Sequence, residues 1–511
     1  MERREFNKLL TSGLVAVSFS GCLREEKATG LNGDLAHFSA ALKSMSNPPL
    51  PEGKAIPFFW NHATLNKENP ITLTWEKLPT EGVKSVWLRI ASASDVRPRV
   101  QIDATLTDGE KVAYFDLQYG YMGQLFEAEI PIAALPKITE QGLQLRLTEG
   151  EEIWLFRQGE KTPTEASLLC PHLLLVKEPD PEKYWLDRLL SYNSIQFFGW
   201  AEGVTLDGIY EAASLAGEEK ARKWFQNHFN TFLNEQDQFV YTGVHNQLET
   251  QRMGTVEGVL PFAVVAKFQP DHPTIDTIIE FCKSKANAEG VISDGEPTQN
   301  RHLASEANYT ISYPLAVIAQ QRQREDLYPL IAQTILGRKK WLTDSEGIYQ
   351  RGRENTEEKI FKNWGRGVAW YVLGIARTLE HFPKERPEYE VLVKELQRSF
   401  DFIVPFQKED GLFNVFLHED ETGTEVTGGA GIAAAVAVAK YLGITSSAHE
   451  TMMMEAKAGL QAHFTPDGFL RNAVQHNAGG RALQVNGYRT ISQYALGFYA
   501  ILESYLKKSN T

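Results

Sequence analysis

Two tryptophans flank one arginine in the stretch Trp364-Gly-Arg366-Gly-Val-Ala-Trp370, and an apolar helical run follows directly. A guanidinium is a planar fork that can take a carboxylate by two parallel hydrogen bonds. Indole faces pack against flat ring systems such as sugars. Placed together at a helix start, these residues suit a ligand that carries both a ring and a carboxylate. The plainer alternative is a surface arginine beside two core tryptophans, and the stretch by itself leaves both open.

Other polar residues fall in loops or at helix starts. His245 and Asn246 precede Glu249, His302 follows Arg301 in a polar loop, and Arg489 opens the last helix. His245, His302 and Arg489 are candidate substrate-binding residues; each is equally compatible with a solvated loop. Asp207 on an early helix reads as a buried hydrogen-bond partner as readily as a catalyst. The charged run 351–359 reads as a solvated lid edge.

The elements that must hold these residues fall into two blocks. From about 56 to 176 the chain shows short runs of period two, at 71–75, 86–90, 112–116, 125–130, 143–147 and 153–156, separated by turns such as Thr107-Asp108-Gly109. That pattern predicts an antiparallel β-sandwich. Its role is either to brace a catalytic domain or to bind sugar. Pro179-Asp-Pro181 ends the pattern. Helical segments follow at 205–216, 218–234, 255–268, 274–286, 311–321, 327–341, 367–381, 389–404, 429–442, 448–463 and 490–507. Such a count predicts a double ring of helices, and the run from Gly428 to Ala439 has no polar face, as a fully buried inner helix requires. The domain organisation is therefore 1–22 as an export signal, 23–50 as a polar tether, 51–178 as a β-sandwich and 179–511 as an all-α (α/α)6 barrel.

In the first segment, Arg3-Arg4 precede an apolar stretch and then Ser20-Gly21-Cys22. This predicts an exported lipoprotein, periplasmic or at the cell surface, with Cys22 carrying the lipid and the membrane touched only through it. Cys170 and Cys282 lie in apolar settings and read as small buried residues rather than a disulfide. No CxxC pair and no HExxH helix occurs, so no metal and no other cofactor is expected. The net charge of −13 disfavours nucleic acid and leaves any acidic ligand to local arginines.

Four segments together resemble glycoside hydrolase families 88 and 105. They are Gly199-Trp-Ala-Glu-Gly-Val-Thr-Leu-Asp-Gly-Ile-Tyr210, Trp364-Gly-Arg-Gly-Val-Ala-Trp370, Gly411-Leu-Phe-Asn-Val with Glu425-Val-Thr-Gly-Gly-Ala, and Ser312-Tyr-Pro314-Leu. Their order and spacing agree over about residues 185–445. The resemblance implies an (α/α)6 barrel that removes a terminal unsaturated uronic acid from an oligosaccharide by hydrating its C4=C5 enol ether. It places Arg366 on the uronate carboxylate and Trp364 and Trp370 around the sugar. At the position it gives to the acid–base aspartate, six residues before Pro314, this chain has Asn308, which cannot cycle a proton near neutral pH. A second family carboxylate falls at Glu249.

Three outcomes are compatible with that departure. Glu249 and Glu306 form the catalytic pair of a direct glycosidase acting on a saturated β-glucuronide, with Asn308 kept for substrate binding. Alternatively the register slips and hydration survives. Otherwise the ring only binds glycan at the surface. A polysaccharide lyase on the same toroid would instead need Tyr309 or His302 as base.

Overall fold

The computed structural model describes residues 31–510 except 32, 46 and 237. The expected export signal and Cys22 lie outside the described residues.

The N-terminal region has eleven strands: β1 (Leu35–Ser39), β2 (Ala41–Ser44), β3 (His62–Asn66), β4 (Ile71–Thr74), β5 (Ser85–Ala91), β6 (Val100–Thr105), β7 (Lys111–Leu117), β8 (Leu125–Ile130), β9 (Leu143–Glu149), β10 (Glu152–Phe156) and β11 (His172–Val176). One antiparallel sheet runs β1-β11-β5-β8 and a second runs β2-β4-β9-β6-β7. Both turn alternate residues into one shared core that includes Leu73, Leu88, Ile102, Leu145 and Leu173, as period two requires. β1 and β2 correct the expectation of a free tether over 23–50: residues 35–44 are strands, and Leu31 is buried beside them. These strands are short and weakly apolar. Their conformation is set by pairing with β11 and β4, a tertiary effect that local sequence does not carry.

The chain leaves β11 at Val176 and enters α1 (Pro181–Leu189). Asp180 caps this helix by accepting from the Lys183 N–H, and Pro181 opens it. Eleven helices of eight or more residues follow: α2 (Trp200–Glu211), α3 (Glu218–Asn230), α4 (Pro261–Phe268), α5 (Thr274–Ser284), α6 (Tyr313–Gln321), α7 (Tyr328–Leu342), α8 (Gly365–Glu380), α9 (Pro387–Ile403), α10 (Val426–Tyr441), α11 (Ser447–Gln461) and α12 (Ala495–Ser509). The even-numbered helices form an inner ring. Each packs on the next, and α12 closes back on α2. At that closure a side chain on Gly208 would stand 2.4 Å from the Cα of Gly497, so only glycine permits the approach. Inner helices are buried all round, as α10 is from Val426 to Ala439. Outer helices bury one stripe, such as Ala221, Trp224, Phe225, His228 and Phe229 of α3.

The lumen is not hollow. Arg377 of α8 donates to Asp207 (2.6 Å), Glu211 (2.7 Å) and the Tyr313 hydroxyl (2.6 Å), and the Tyr309 hydroxyl donates to Asp207 (2.6 Å). Asp207 is thus a buried partner, as one of its two readings held. Cys170 and Cys282 are free and buried, and burial pushes both thiols up to about 12.

The N-terminal sheets are joined to the barrel through buried polar contacts. Arg89 of β5 pairs with Asp467, at 2.7 Å, and both side chains are fully buried. His37 reaches the same carboxylate at 2.9 Å. Gln493 accepts from the Leu125 N–H and donates to the Gly123 carbonyl.

Candidate active site

The loops at one end of the inner ring build a cleft around two carboxyl groups, Glu257 and Glu306. Glu257 stands in a short 3-10 turn, Val256–Val259, just before α4. Glu306 precedes a π-helical turn, Asn308–Ser312, that leads into α6. The two side chains are within hydrogen-bond reach of one another. A π turn adds a residue to the helix and commonly marks a functional position.

Neighbouring elements lock this pair in place. A β-hairpin of β12 (Gly347–Arg353) and β13 (Lys359–Lys362) carries Gln350, whose amide donates to the Glu306 carboxylate. Ser305 donates to Gln350 Oε1 at 2.6 Å. Burial raises Glu257 well above the usual carboxylate range, and the charges of Glu306 and Asp294 push it further the same way. The raised Glu257 carboxyl therefore favours its protonated form, which can donate a hydrogen bond to Glu306.

Beyond the pair the cleft divides. One branch is lined by Trp200, Trp364, Arg366, Trp370, His476 and Asn477 together with Gln350. It encloses about 20 Å³, so a sugar ring enters only as lining side chains move aside. The other branch, about 320 Å³, is walled by Asp294, His302, Arg338 and Arg351. Arg366 donates to the Val474 carbonyl (3.2 Å), the Gln475 carbonyl (2.5 Å) and the Tyr494 hydroxyl (2.5 Å), and its guanidinium lies 4.7 Å from the Trp364 ring centre. All three acceptors are neutral. Among the described residues Arg366 makes no direct ion pair; the buried Glu425 carboxylate supports its charge from farther off, which leaves the guanidinium able to pair with an anion in the cleft. His476 is pushed down to about 3, by burial first and then by Arg366, Arg351 and Arg97, and is neutral.

The expected residues separate accordingly. Arg366, Trp364, Trp370 and Glu306 converge on the cleft, and His302 lies on the wall of its larger branch, with Nε2 2.7 Å from Arg353 Nη2. Glu249 does not converge: it sits on the short strand Leu248–Thr250 and pairs with Arg252 at 2.9 Å. Asn308 is fully buried, with its amide 3.4 Å from the Tyr371 carbonyl, and packs so closely on Gly374 that a side chain there would meet its backbone at 2.2 Å. The π turn carries it into the barrel wall, outside the cleft lining. His245 faces the N-terminal region, its backbone N–H donating to Asp95 at 2.6 Å. Arg489 donates to the carbonyls of Thr422 and Tyr488 and borders a separate groove beside the N-terminal sheets. Tyr309 is fully buried, its hydroxyl donates to Asp207 and it does not line the cleft; burial raises its phenol well above the usual range. The charged run 351–359 is the tip of the β12–β13 hairpin, and it contributes Arg351 and Glu358 to the cleft.

The sequence reading missed Glu257, Gln350, Trp200 and His476. Glu257 opens a helical segment, where an acid is already explained by the helix dipole. Among the described residues no group of three or more His, Cys, Asp or Glu side chains is arranged to hold a metal ion.

A closed ring of paired helices with a carboxyl pair, an arginine and indoles at one mouth defines a glycoside hydrolase barrel. The model of Glycosyl Hydrolase Family 88 matches residues 179–503, and the chain belongs to that family. Among solved structures the fold is similar to a possible member of the GH105 family from Salmonella enterica serovar Paratyphi A, at 18% identity, with 61% of this chain and 84% of that chain covered and a TM-score of 0.53. It is similar also to a family 105 glycoside hydrolase from C. acetobutylicum, at 20% identity, with 62% and 95% covered and a TM-score of 0.52.

Proposed function

We propose that this chain removes a terminal 4,5-unsaturated uronic acid from an oligosaccharide by hydration. The observation that carries the reading is the contact between Glu257 and Glu306. Direct glycoside hydrolysis places its two carboxyl groups about 5–9.5 Å apart, on either side of the anomeric carbon. Two carboxyls in contact act at one place. Such a pair can deliver a proton to C4 of the enol ether and take one from the water that adds at C5, so that its own protonation is restored. The hydrated C5 is a hemiketal. Its ring opens to a ketone at C5, and the hemiacetal at C1 then expels the aglycone alcohol. The removal of Glu249 from the cleft takes away the second acid on which the saturated-glucuronide reading relied. We read the two N-terminal sheets as a β-sandwich that braces the barrel.

The test is to incubate the protein with an unsaturated uronide and with its saturated counterpart. The unsaturated compound should lose its C4=C5 absorbance while the saturated one stays intact. Cleavage of the saturated glucuronide with the unsaturated one untouched would overturn the proposal.

Arg366 gives a separate expectation. A hydrogen bond to a charged group contributes about 1.5–3 kcal/mol, so Arg366→Ala should lower kcat/KM for a uronide by one to two orders of magnitude. The uronide methyl ester, which offers no charge, should lose far less. Equal losses on acid and ester would show that Arg366 only supports the fold.

A further inference from the structure

Four aromatic rings and a guanidinium form a continuous row from the floor of the cleft to the N-terminal region. Trp370 meets Trp200 edge to face at 5.6 Å, and Trp200 lies 5.8 Å from His476. His476 stacks on Tyr119 at 6.3 Å and 17°. The guanidinium of Arg97 lies 4.7 Å over the Tyr119 ring. The first three rings belong to the barrel, whereas Tyr119 and Arg97 belong to the connections that follow β7 and β5.

We propose that the N-terminal region supplies a subsite for the second sugar, next to the terminal uronyl residue, with Tyr119 as its platform and an anionic substituent as the group it selects. This rests on the functional reading above. Tyr119 is half-buried and has φ of +53°, a conformation that a bulky side chain rarely adopts. Strain of that kind is retained where the surrounding structure fixes a side chain for a purpose. Here it holds the phenol ring against His476, which itself lines the terminal-sugar branch. The charge beside the ring is positive in a chain whose net charge is −13. Arg351 donates to Asn477 at 3.2 Å and, among the described residues, makes no ion pair. Arg97 is held in place by Asp95 at 2.9 Å, so the net pull on an anion comes from Arg351 beside Arg366. The loop at Asp95 is tied to the barrel through the His245 N–H. The two halves of the subsite are therefore held together.

The test measures both binding and turnover. The ligands are an aryl unsaturated uronide and three unsaturated disaccharides whose second sugar is neutral, carboxylated or sulfated. The parent protein should favour an anionic disaccharide over the neutral one, and the arm that wins identifies the anion. Tyr119→Asn removes the ring while tolerating the left-handed backbone. It should lower the ratio of disaccharide to aryl uronide affinity about tenfold, and Tyr119→Phe should restore it. Arg351→Gln should lower the preference for an anionic over a neutral second sugar by a similar factor. A Tyr119→Asn variant that loses affinity for both ligands alike, or for neither, overturns the subsite. If turnover of every unsaturated ligand is absent in the parent protein, the hydration reading fails, and the binding ratios still decide the subsite.

Discussion

Glu257→Gln should lower turnover of an unsaturated uronide by about 10²–10⁴, the usual effect of losing a general acid or base, and Glu306→Gln should do the same. Glutamine keeps the shape and hydrogen bonding of each side chain, so substrate should still bind and the fold should survive. Glu249→Gln should stay within a few-fold of the parent, because Glu249 is occupied by Arg252 on an edge strand. The pH dependence follows from the raised Glu257. Its acid form is the active one, so the rate should fall as pH rises through its elevated pKa. Stability has the same sign. Folding favours the protonated carboxyl, so the stabilisation is complete below the ordinary carboxylate pKa and is lost as pH rises through the raised value. Glu257→Gln should abolish that alkaline loss of stability as well as the activity. Near-parent rates in both glutamine variants would remove the carboxyl pair from the mechanism.

Legibility in the sequence tracked the range of the forces involved. The strands over 71–75, 86–90 and 125–130 were visible because each alternates on its own, and β4, β5 and β8 lie where the alternation is. β1, β2 and β11 were not, because β1 and β2 gain their conformation from partners far along the chain and β11 is buried on both faces. Helix positions followed periodicity closely, and Pro179-Asp-Pro181 marked the boundary that the Asp180 cap makes physical. Within the site, Arg366 and the two tryptophans were legible because their chemistry sits in one local stretch. The carboxyl pair was legible only in part, through Glu306. Its members are far apart in sequence, and the π turn at Asn308–Ser312 alters the spacing between the acid and Pro314. Counting six residues back from the proline lands on Asn308, whereas the carboxyl that lines the cleft is Glu306, two residues earlier.

The ion pair between Arg89 and Asp467 is where the N-terminal sheets are expected to depend most on the barrel. Removing one partner of a buried pair costs about 3–5 kcal/mol, because the other charge is left without compensation. Asp467→Ala would leave the fully buried Arg89 guanidinium with Glu127 alone, at 3.0 Å, and would strip His37 of its acceptor. The variant should melt several degrees below the parent, and protease should cut sooner in the connection between β11 and α1. Arg89→Met combined with Asp467→Leu should recover part of the loss, since both fully buried charges are gone and the partly exposed Glu127 is left without Arg89. The pH dependence gives an independent check. Burial alone would raise the Asp467 carboxyl, but Arg89 and His37 outweigh it and hold the group well below its ordinary range. A depressed carboxylate stabilises the fold above its unfolded pKa, about 3.9, and the contribution disappears as pH falls below that value. The gap in melting temperature between parent and Asp467→Ala should thus be wide at neutral pH and narrow under acid conditions. A gap that stays constant with pH would mean that Asp467 acts through packing rather than through its charge.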